Sequence, residues 1–422
     1  MNQKEIFELA LGLEGTPWYV ASVEFDKDRK RLDITLDYPP LSRFAHPTSN
    51  APCSVYDSAQ RSWRHLNFFQ FECYLHAFVP RVDGGGEGGI KTVNVPWARP
   101  HSGFTLLMEA LLTLLTGTGM TVQEVADTIG EYAQRVWKVL FHHVGEAHVK
   151  MDLSQVQTLS IDEVSRKKGH KYITVISEPG NKDSGQPSRV LLVTEGKDAQ
   201  AVKDASEGLI ARGLDLLAVK NVCLDMSAAF ISGAKSVFIN AALIFDHFHV
   251  IQLLTKAIDE IRRRERHSFP DELKNSRWLL LKAGEKLSQE ETVRLAQIRR
   301  GHSQTGKAYN MLDSLRLILR DADLAEAEAC LWRWTSWPLK SRIPEMQRVA
   351  QTIRDHFEGI AQFLRTRVTN AAAEALNGII QTVKRKSRGF RSIEYFKTMI
   401  YLVASHLTFD LPNPVPVTHT KS

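Results

Sequence analysis

Three acids stand apart because of what surrounds them. Asp162 comes after the apolar run "TLSI" and Asp225 after "NVCL"; Glu374 lies in "TNAAAEALNGII", which leads into the basic run "VKRKSRGFR". A carboxylate leaving a hydrophobic strand at the rim of a sheet is costly without a partner. Hard oxygen ligands there suit magnesium or manganese, which keep several waters and accept one or two carboxylates together with phosphate oxygens. Two such ions, roughly 4 Å apart, can activate an attacking oxygen and stabilise a leaving one in phosphoryl transfer. Caps and turns are the ordinary alternative for Asp162 and Asp225, and a solvated helix face for Glu374. The neighbours of Glu374 argue for more. Residues three, four and seven apart share a helix face, so Asn370, Glu374, Asn377, Gln381 and Arg385 form one polar stripe while Leu376, Ile379, Ile380 and Val383 line the other side. The stripe leads to Lys384, Arg385, Lys386 and Arg388, a surround that suits a polyanion.

The elements that must position these acids follow a recognisable order. "VQTLSIDEVS" reads as a strand ending in Asp162 and Glu163, "KYITVIS" and "RVLLVTEG" as two further strands, and 197–212 as a helix. "LAVKNVCLDMS" is a fourth strand ending in Asp225, a helix runs from Ala228 to Phe238, and "AALIFDHFHV" is a fifth strand ending in Asp246. Three antiparallel strands and then two strand-and-helix units is the order of a ribonuclease H-like, mixed-sheet α/β fold. Glu163 falls on the opposite face if its strand continues, so it is not counted as a ligand. Asp246 and His249 form an Asp-x-x-His pair, readable either as support for the acids or as a helix N-cap beside a packed histidine.

With 422 residues, 43% of them hydrophobic, the chain can bury a large core and should divide into two to four domains. No apolar run is long enough to span a membrane, and the first twenty residues lack a secretory pattern, so a cytoplasmic protein is expected. Four scattered cysteines argue against a disulfide framework. The net charge of +6 gathers in "RKKGHK", "EIRRRER" and "VKRKSRGFR", which suit a polyanion better than a membrane, with a solvated helix face the ordinary alternative for each cluster singly. Residues 1–103 read as a small β-rich domain with a glycine-rich turn. In 104–150, "MTVQEVADTIG" followed by "EYAQRVWKVLF" outlines a helix-turn-helix whose second helix would lay Gln134, Arg135 and Lys138 along a groove. The catalytic core occupies 151–267 and 345–408, and 409–422 reads as disordered tail. Between the two core parts, 268–344 is helical, with Trp332, Trp334 and Trp337 taken as core.

A family resemblance rests on these segments. "RSWRHLNFFQFECYLHAFVPRV", "VPWARPHSGFT", "IDEVSRKKGHKYITVI", "VCLDMSAAFISGA", "LIFDHFHVIQLLTKAIDEIRR", "ELKNSRWLLLK" and "VTNAAAEALNGIIQTVKRKSRGFRSIEYFKTMI" resemble the ISL-three type of bacterial insertion-sequence transposase, from about residue 50 to residue 408. The resemblance implies a DDE transposase in which Asp162, Asp225 and Glu374 hold two divalent ions, Mg²⁺ or Mn²⁺, with Asp246 and His249 supporting the pocket. It implies water attack at the terminal inverted repeats, joining of a freed 3′-hydroxyl to target DNA, and an insertion at 268–344. A homo-oligomer on nucleoid DNA is the expected assembly. The first domain departs from the family pattern: Cys53 is followed by Tyr56 instead of the second cysteine of a knuckle, and "VDGGGEGG" stands where a second knuckle belongs. A structural zinc is therefore not expected, and an improvised set of Cys53, His65, Cys73 and His76 has suitable residue types without an established spacing. The alternative function is a catalytically inactive protein that still binds transposon ends. A nuclease of another ribonuclease H-like family is disfavoured by the helical insertion.

Overall fold

Asn2 and Glu5 close a capping box on α1 (Gln3–Ala10), a helix where the sequence reads only as strands. The computed structural model describes residues 2–414 apart from 86–88, 168, 181–184, 283–286 and 322–323. Parts of the glycine-rich run and of "RKKGHK", and most of the tail expected to be disordered, therefore lie outside the described residues. The chain divides into two compact units, Met1–Ala147 with Thr408–Ser422, and His148–Leu407.

In the first unit, β1 (Tyr19–Asp26), β2 (Arg31–Asp37), β3 (Arg43–Ala45), β4 (Pro52–Phe68), β5 (Phe71–Asp83) and β6 (Ile90–Thr92) form one sheet in the order β1-β2-β5-β4-β3, with β6 on β5. A parallel pairing of β2 with β5 joins the first strands of this β-rich stretch to the later ones. Alternation decides which face is covered: Leu32, Ile34 and Leu36 of β2 and Leu75, Ala77 and Val79 of β5 are buried with Trp18, Trp63 and Trp97. The helices α2 (Leu106–Gly117), α3 (Val122–Ile129) and α4 (Ala133–Val149) follow. Thr121 and Glu124 cap the start of α3, and Gly130, at φ 71°, ends it in the left-handed conformation glycine adopts readily. α4 begins three residues later, which completes the helix-turn-helix outline.

The second unit is built on β7 (Thr158–Lys167), β8 (Lys171–Glu178), β9 (Arg189–Glu195), β10 (Asn221–Leu224) and β11 (Ala242–Phe245), in the order β11-β10-β7-β8-β9. β7, β8 and β9 are antiparallel neighbours, while β10 runs parallel to both β7 and β11. Val222, Cys223 and Leu224 are wholly buried, as expected of a central parallel strand covered on both faces. α5 (Ala199–Ile210) follows β9, and α6 (Ala228–Val237) joins β10 to β11. β7 does not end at its acids, as the sequence order implied, but continues to Lys167 because β8 goes on pairing with it through Glu163, Val164 and Ser165. Glu163 meets Lys197 at 3.5 Å.

After β11 come α7 (His247–Glu265), α8 (Pro270–Leu273), α9 (Arg277–Leu281), α10 (Gln289–Arg300), α11 (Gln304–Asp321), α12 (Leu324–Lys340), α13 (Pro344–Asp355), α14 (Phe357–Thr366), α15 (Ala371–Lys386) and α16 (Ile393–Ala404). Only one tryptophan of the α12 trio belongs to the core: Trp334 is 4% exposed and donates to the Met311 carbonyl, whereas Trp332 and Trp337 are 49% and 45% exposed. Side chains two apart on a helix project to nearly opposite sides, so Trp332 and Trp334 cannot share one buried face. Trp332 instead lies under the Arg354 guanidinium.

Close contacts at both sheet edges fix the frame. A methyl group on Gly359 would come within 2.4 Å of the Phe245 ring, so α14 rests directly on β11. At the other edge, the Val193 N–H of β9 donates to the Tyr401 hydroxyl and Ser405 Oγ donates to the Val190 carbonyl. α16 thereby covers an edge strand that would otherwise expose unpaired backbone groups.

Candidate active site

The parallel register brings three aspartates level. Cys223 of β10 stands opposite Ser160 of β7 and Ile244 of β11. Carried two residues further, that register aligns Asp225 with Asp162 on one side and with Asp246 on the other. β10 and β11 have ended by then, and their acids turn into helices. Asp225 Oδ1 accepts the Ser227 N–H at 2.9 Å ahead of α6, and Asp246 Oδ1 accepts the Phe248 N–H at 3.3 Å as the N-cap of α7. Asp162 remains inside β7, past the point where β10 ceases to pair, with Val175 of β8 as its one strand neighbour.

α15 supplies the fourth acid and a bond to the row. Asn377 Nδ2 donates to Asp162 Oδ2 at 2.7 Å, and the Glu163 N–H donates to Asp162 Oδ1 at 2.8 Å. Glu374 lies one helical turn before Asn377. Of the polar stripe of α15, Asn370 is wholly buried and Asn377 half-buried while Glu374 and Arg385 are exposed; on the apolar side Leu376 and Ile380 are buried, and Ile379 is exposed instead of packed. Both polar side-chain atoms of Asn370, and Oδ1 of Asn377, are buried without a partner.

The electrostatics tie these groups together. Burial pushes the Asp162 carboxyl up to about 6; Asp225 and Glu163 add to the shift, and the Glu163 N–H and His249 oppose it. Burial likewise raises Glu374, followed by the repulsion of Asp246, with His249 and His247 acting against it. His249 thus acts electrostatically on both Asp162 and Glu374. His247 Nδ1 is 3.2 Å from Asp246 Oδ1, and its ring stacks on Phe363 at 4.5 Å. Among the described residues no three of these acids close to within 4.8 Å of one another. The donor set is oxygen-rich, short of compensating charge and bordered by orphaned amide atoms. Such a set fits a hard divalent cation that keeps several waters.

The expected DNA contacts divide. Gln134 and Lys138 are exposed one turn apart on α4. Arg135 is committed inward: it donates to Glu131 at 2.6 Å and to the Gly103 carbonyl at 3.1 Å, and lies over the Phe104 ring. Its guanidinium thus braces α4, with the side chain 38% exposed. In the basic run, Lys384 donates to the Ser165 carbonyl of β7 and Arg385 to Thr382, while Arg385, Lys386 and Arg388 are exposed. The improvised metal set is not assembled. Cys53 precedes His65 by twelve residues on the same strand, on the order of 40 Å of extended chain. Both ring nitrogens of His76 are engaged, by Ser62 and Asp33, and His65 Nδ1 meets Thr105. Sequence reasoning missed Asn377 and His247 as site neighbours. The signal for Asn377 was its place on the Glu374 stripe; nothing local marked His247.

A family model described as a transposase, the DDE domain of the ISL3 group, matches residues 159–400, and the model of the helix-turn-helix domain of transposase family ISL3 matches residues 93–144. The transposase for insertion sequence element IS1001 of Bordetella parapertussis is 25% identical over 414 residues, covering 94% of this chain and 97% of that protein. The transposase for insertion sequence element IS1557 of Mycobacterium tuberculosis is 27% identical over 367 residues, 79% of each. Among the described residues no helix is long and apolar enough to cross a membrane. With more than half of its length inside the DDE-domain match and the helix-turn-helix match ahead of it, the chain belongs to the ISL3 family of insertion-sequence transposases.

Proposed function

We propose that the protein binds the terminal inverted repeats of its element and catalyses metal-dependent strand cleavage and strand transfer, with Asp162, Asp225 and Glu374 as ligands of two divalent ions, Mg²⁺ or Mn²⁺. The observation that carries this reading is the register-aligned acid row, in which Asp162 is pushed up to about 6 by burial and, among the described residues, has no cation bonded to it. The second unit is read as a ribonuclease H-like core, 151–267 and 345–408, interrupted by a helical insertion at 268–344. The first is read as a DNA-binding β domain, 1–103, with the helix-turn-helix at 104–150. The strand order, antiparallel β7, β8 and β9 flanked by parallel β10 and β11, supports that reading.

When bound, the ions supply an activated water oxygen and charge neutralisation at the leaving oxygen. The residues of the chain do the rest. The Asn377 amide holds one oxygen of Asp162, leaving its carboxylate in a fixed orientation. Asp246 caps α7 at the start of the helix that carries His247 and His249, and His247 Nδ1 lies 3.2 Å from its carboxylate. Arg385, Lys386 and Arg388 hold the phosphodiester backbone as point charges, and Gln134 and Lys138 face the repeat. In cleavage, water forms a new bond to phosphorus while the bond to the 3′ oxygen breaks, and that oxygen leaves as a hydroxyl. In joining, the same hydroxyl attacks a target phosphodiester. Pairing two ends calls for a second copy of the chain on nucleoid DNA.

The test is strand cleavage of a labelled transposon-end duplex with magnesium, manganese or chelator, beside Glu374→Ala. Metal-dependent nicking that the variant lacks is the expected result. Tight binding without nicking by either protein and with either metal would favour the end-binding alternative, which the complete set of three acids and the family match disfavour.

A further inference from the structure

A second set of metal-ligating side chains lies in the first unit, on α4. His142, His143 and Glu146 each offer one nitrogen or oxygen, and these atoms all lie within 4.8 Å of one another. The spacing explains the meeting: His142 and Glu146, four apart, share a helix face, with Nε2 and Oε2 3.6 Å from each other. The neighbouring His143 ring lies with its centroid 4.8 Å from that of His142.

His143 is held as a metal-binding histidine is held. It is buried, and its Nε2–H donates to Oε2 of Glu109 on α2 at 2.6 Å. Glu109 is itself wholly buried and fixed by Arg99 at 2.9 Å and by Ser102 at 2.5 Å. A carboxylate behind one ring nitrogen selects the tautomer and leaves the other nitrogen as a lone-pair donor, the relation that commonly backs a ligating histidine. With Nε2 committed to Glu109, His143 offers Nδ1. His142 is half-buried and Glu146 exposed, so an ion has a path in from solvent.

We propose that His142, His143 and Glu146 form a site for one divalent transition-metal ion of the zinc class, with solvent completing the coordination. Two imidazoles and one carboxylate suit zinc, cobalt or nickel and disfavour magnesium, which separates this site from the oxygen-rich acid row. All three ligands lie on α4, and Glu109 carries their restraint to α2. An ion here stiffens the end of the helix whose exposed Gln134 and Lys138 lie one to two turns earlier.

The experiment is a Co²⁺ titration of the full chain, without a polyhistidine tag and stripped with chelator, in excess Mg²⁺ to occupy the oxygen-rich acids. One equivalent should develop visible d–d absorption, and Zn²⁺ should displace it. His142→Ala and Glu146→Ala, both at solvent-reached positions, should weaken Co²⁺ by tenfold or more with an unchanged circular dichroism spectrum. Glu109→Gln should weaken it by roughly 10–100-fold through the tautomer of His143. Absence of the band in the unaltered chain, or equal affinity in His142→Ala, overturns the proposal. Loss of the band in Asp162→Asn but not in His142→Ala overturns it as well, because the ion would then sit among the acids.

Discussion

Two buried carboxylates, one in each unit, behave in opposite ways. Glu109 is wholly buried, yet it accepts from His143, Ser102 and Arg99, and these partners outweigh its burial and hold its carboxyl below the usual range. Asp162 keeps some solvent contact, receives one backbone and one amide hydrogen bond, and is pushed up to about 6. A carboxylate that serves the fold brings its own cations with it. One that has been buried without them marks a place where positive charge is to arrive from outside the chain.

That contrast can be broken in several ways. The largest expected effect is on chemistry: Asp162→Asn, Asp225→Asn or Glu374→Gln should each lower end cleavage by roughly 10³-fold or more, about 4 kcal/mol of barrier, with repeat binding kept in a mobility-shift assay. Cleavage within tenfold of the unaltered protein would remove that residue from the ligand set. Next in size, Glu109→Ala should cost about 3–5 kcal/mol by stranding the half-buried Arg99 and the buried His143, read as a lower denaturation midpoint of the first unit.

The sign of the pH response separates the two acids. Because the folded-state pKa of Asp162 lies above its ordinary value of 3.8, ionisation there opposes folding. The opposition is absent below 3.8, grows towards 6 and is complete above it. In chelator at pH 8, Asp162→Asn should therefore stabilise the protein by roughly 2 kcal/mol, and the gain should vanish by pH 3.5. Glu109 has the opposite sign: its stabilisation is present above the ordinary value of 4.5 and is lost as acid protonates it. A destabilised Asp162→Asn at pH 8 would show the carboxylate to be structurally paired after all. Divalent ions bind only the ionised acid, so cleavage should fall as pH drops through about 6, and more Mg²⁺ should move that limb to lower pH.

Smaller effects sharpen the picture. Asn377→Ala removes one hydrogen bond from Asp162, at a cost of about 1 kcal/mol, and should move the acidic limb of cleavage to higher pH. Lys138→Ala should reduce the salt slope of DNA binding by roughly one and weaken affinity for all sequences alike, whereas Arg135→Ala should act chiefly on stability.

Much of the candidate site could be read from the sequence because a short apolar run followed by an acid is a local pattern. "NVCLD" and "LIFD" announce a buried parallel strand and its exit, and both are observed as such. Asp162 shows where local reading stops. A strand ends where its partner ends, and it is β8, well downstream, that carries β7 past the acid. The same holds for Arg135, whose partners Glu131 and Phe104 come from its own turn and from a segment before α2, and for Trp332 and Trp337, where aromatic character signals burial but helical phase denies it. That Asn370 is buried and Asn377 reaches Asp162 depends on which element covers that part of α15, and no spacing within α15 carries that information.

The order of the acids along the chain has a consequence for the cell that makes the protein. Asp162, Asp225 and Asp246 leave the ribosome well before Glu374, and the whole helical segment from α7 to α14 is synthesised between them. On the proposed assignment, an incomplete nascent chain already carries its helix-turn-helix and its aspartate row, so it can find DNA before it can cut it. Strand breakage is withheld until the last two helices are made and α15 docks on β7. On that assignment, a chain stopped anywhere in the preceding segment lacks the Glu374 ligand.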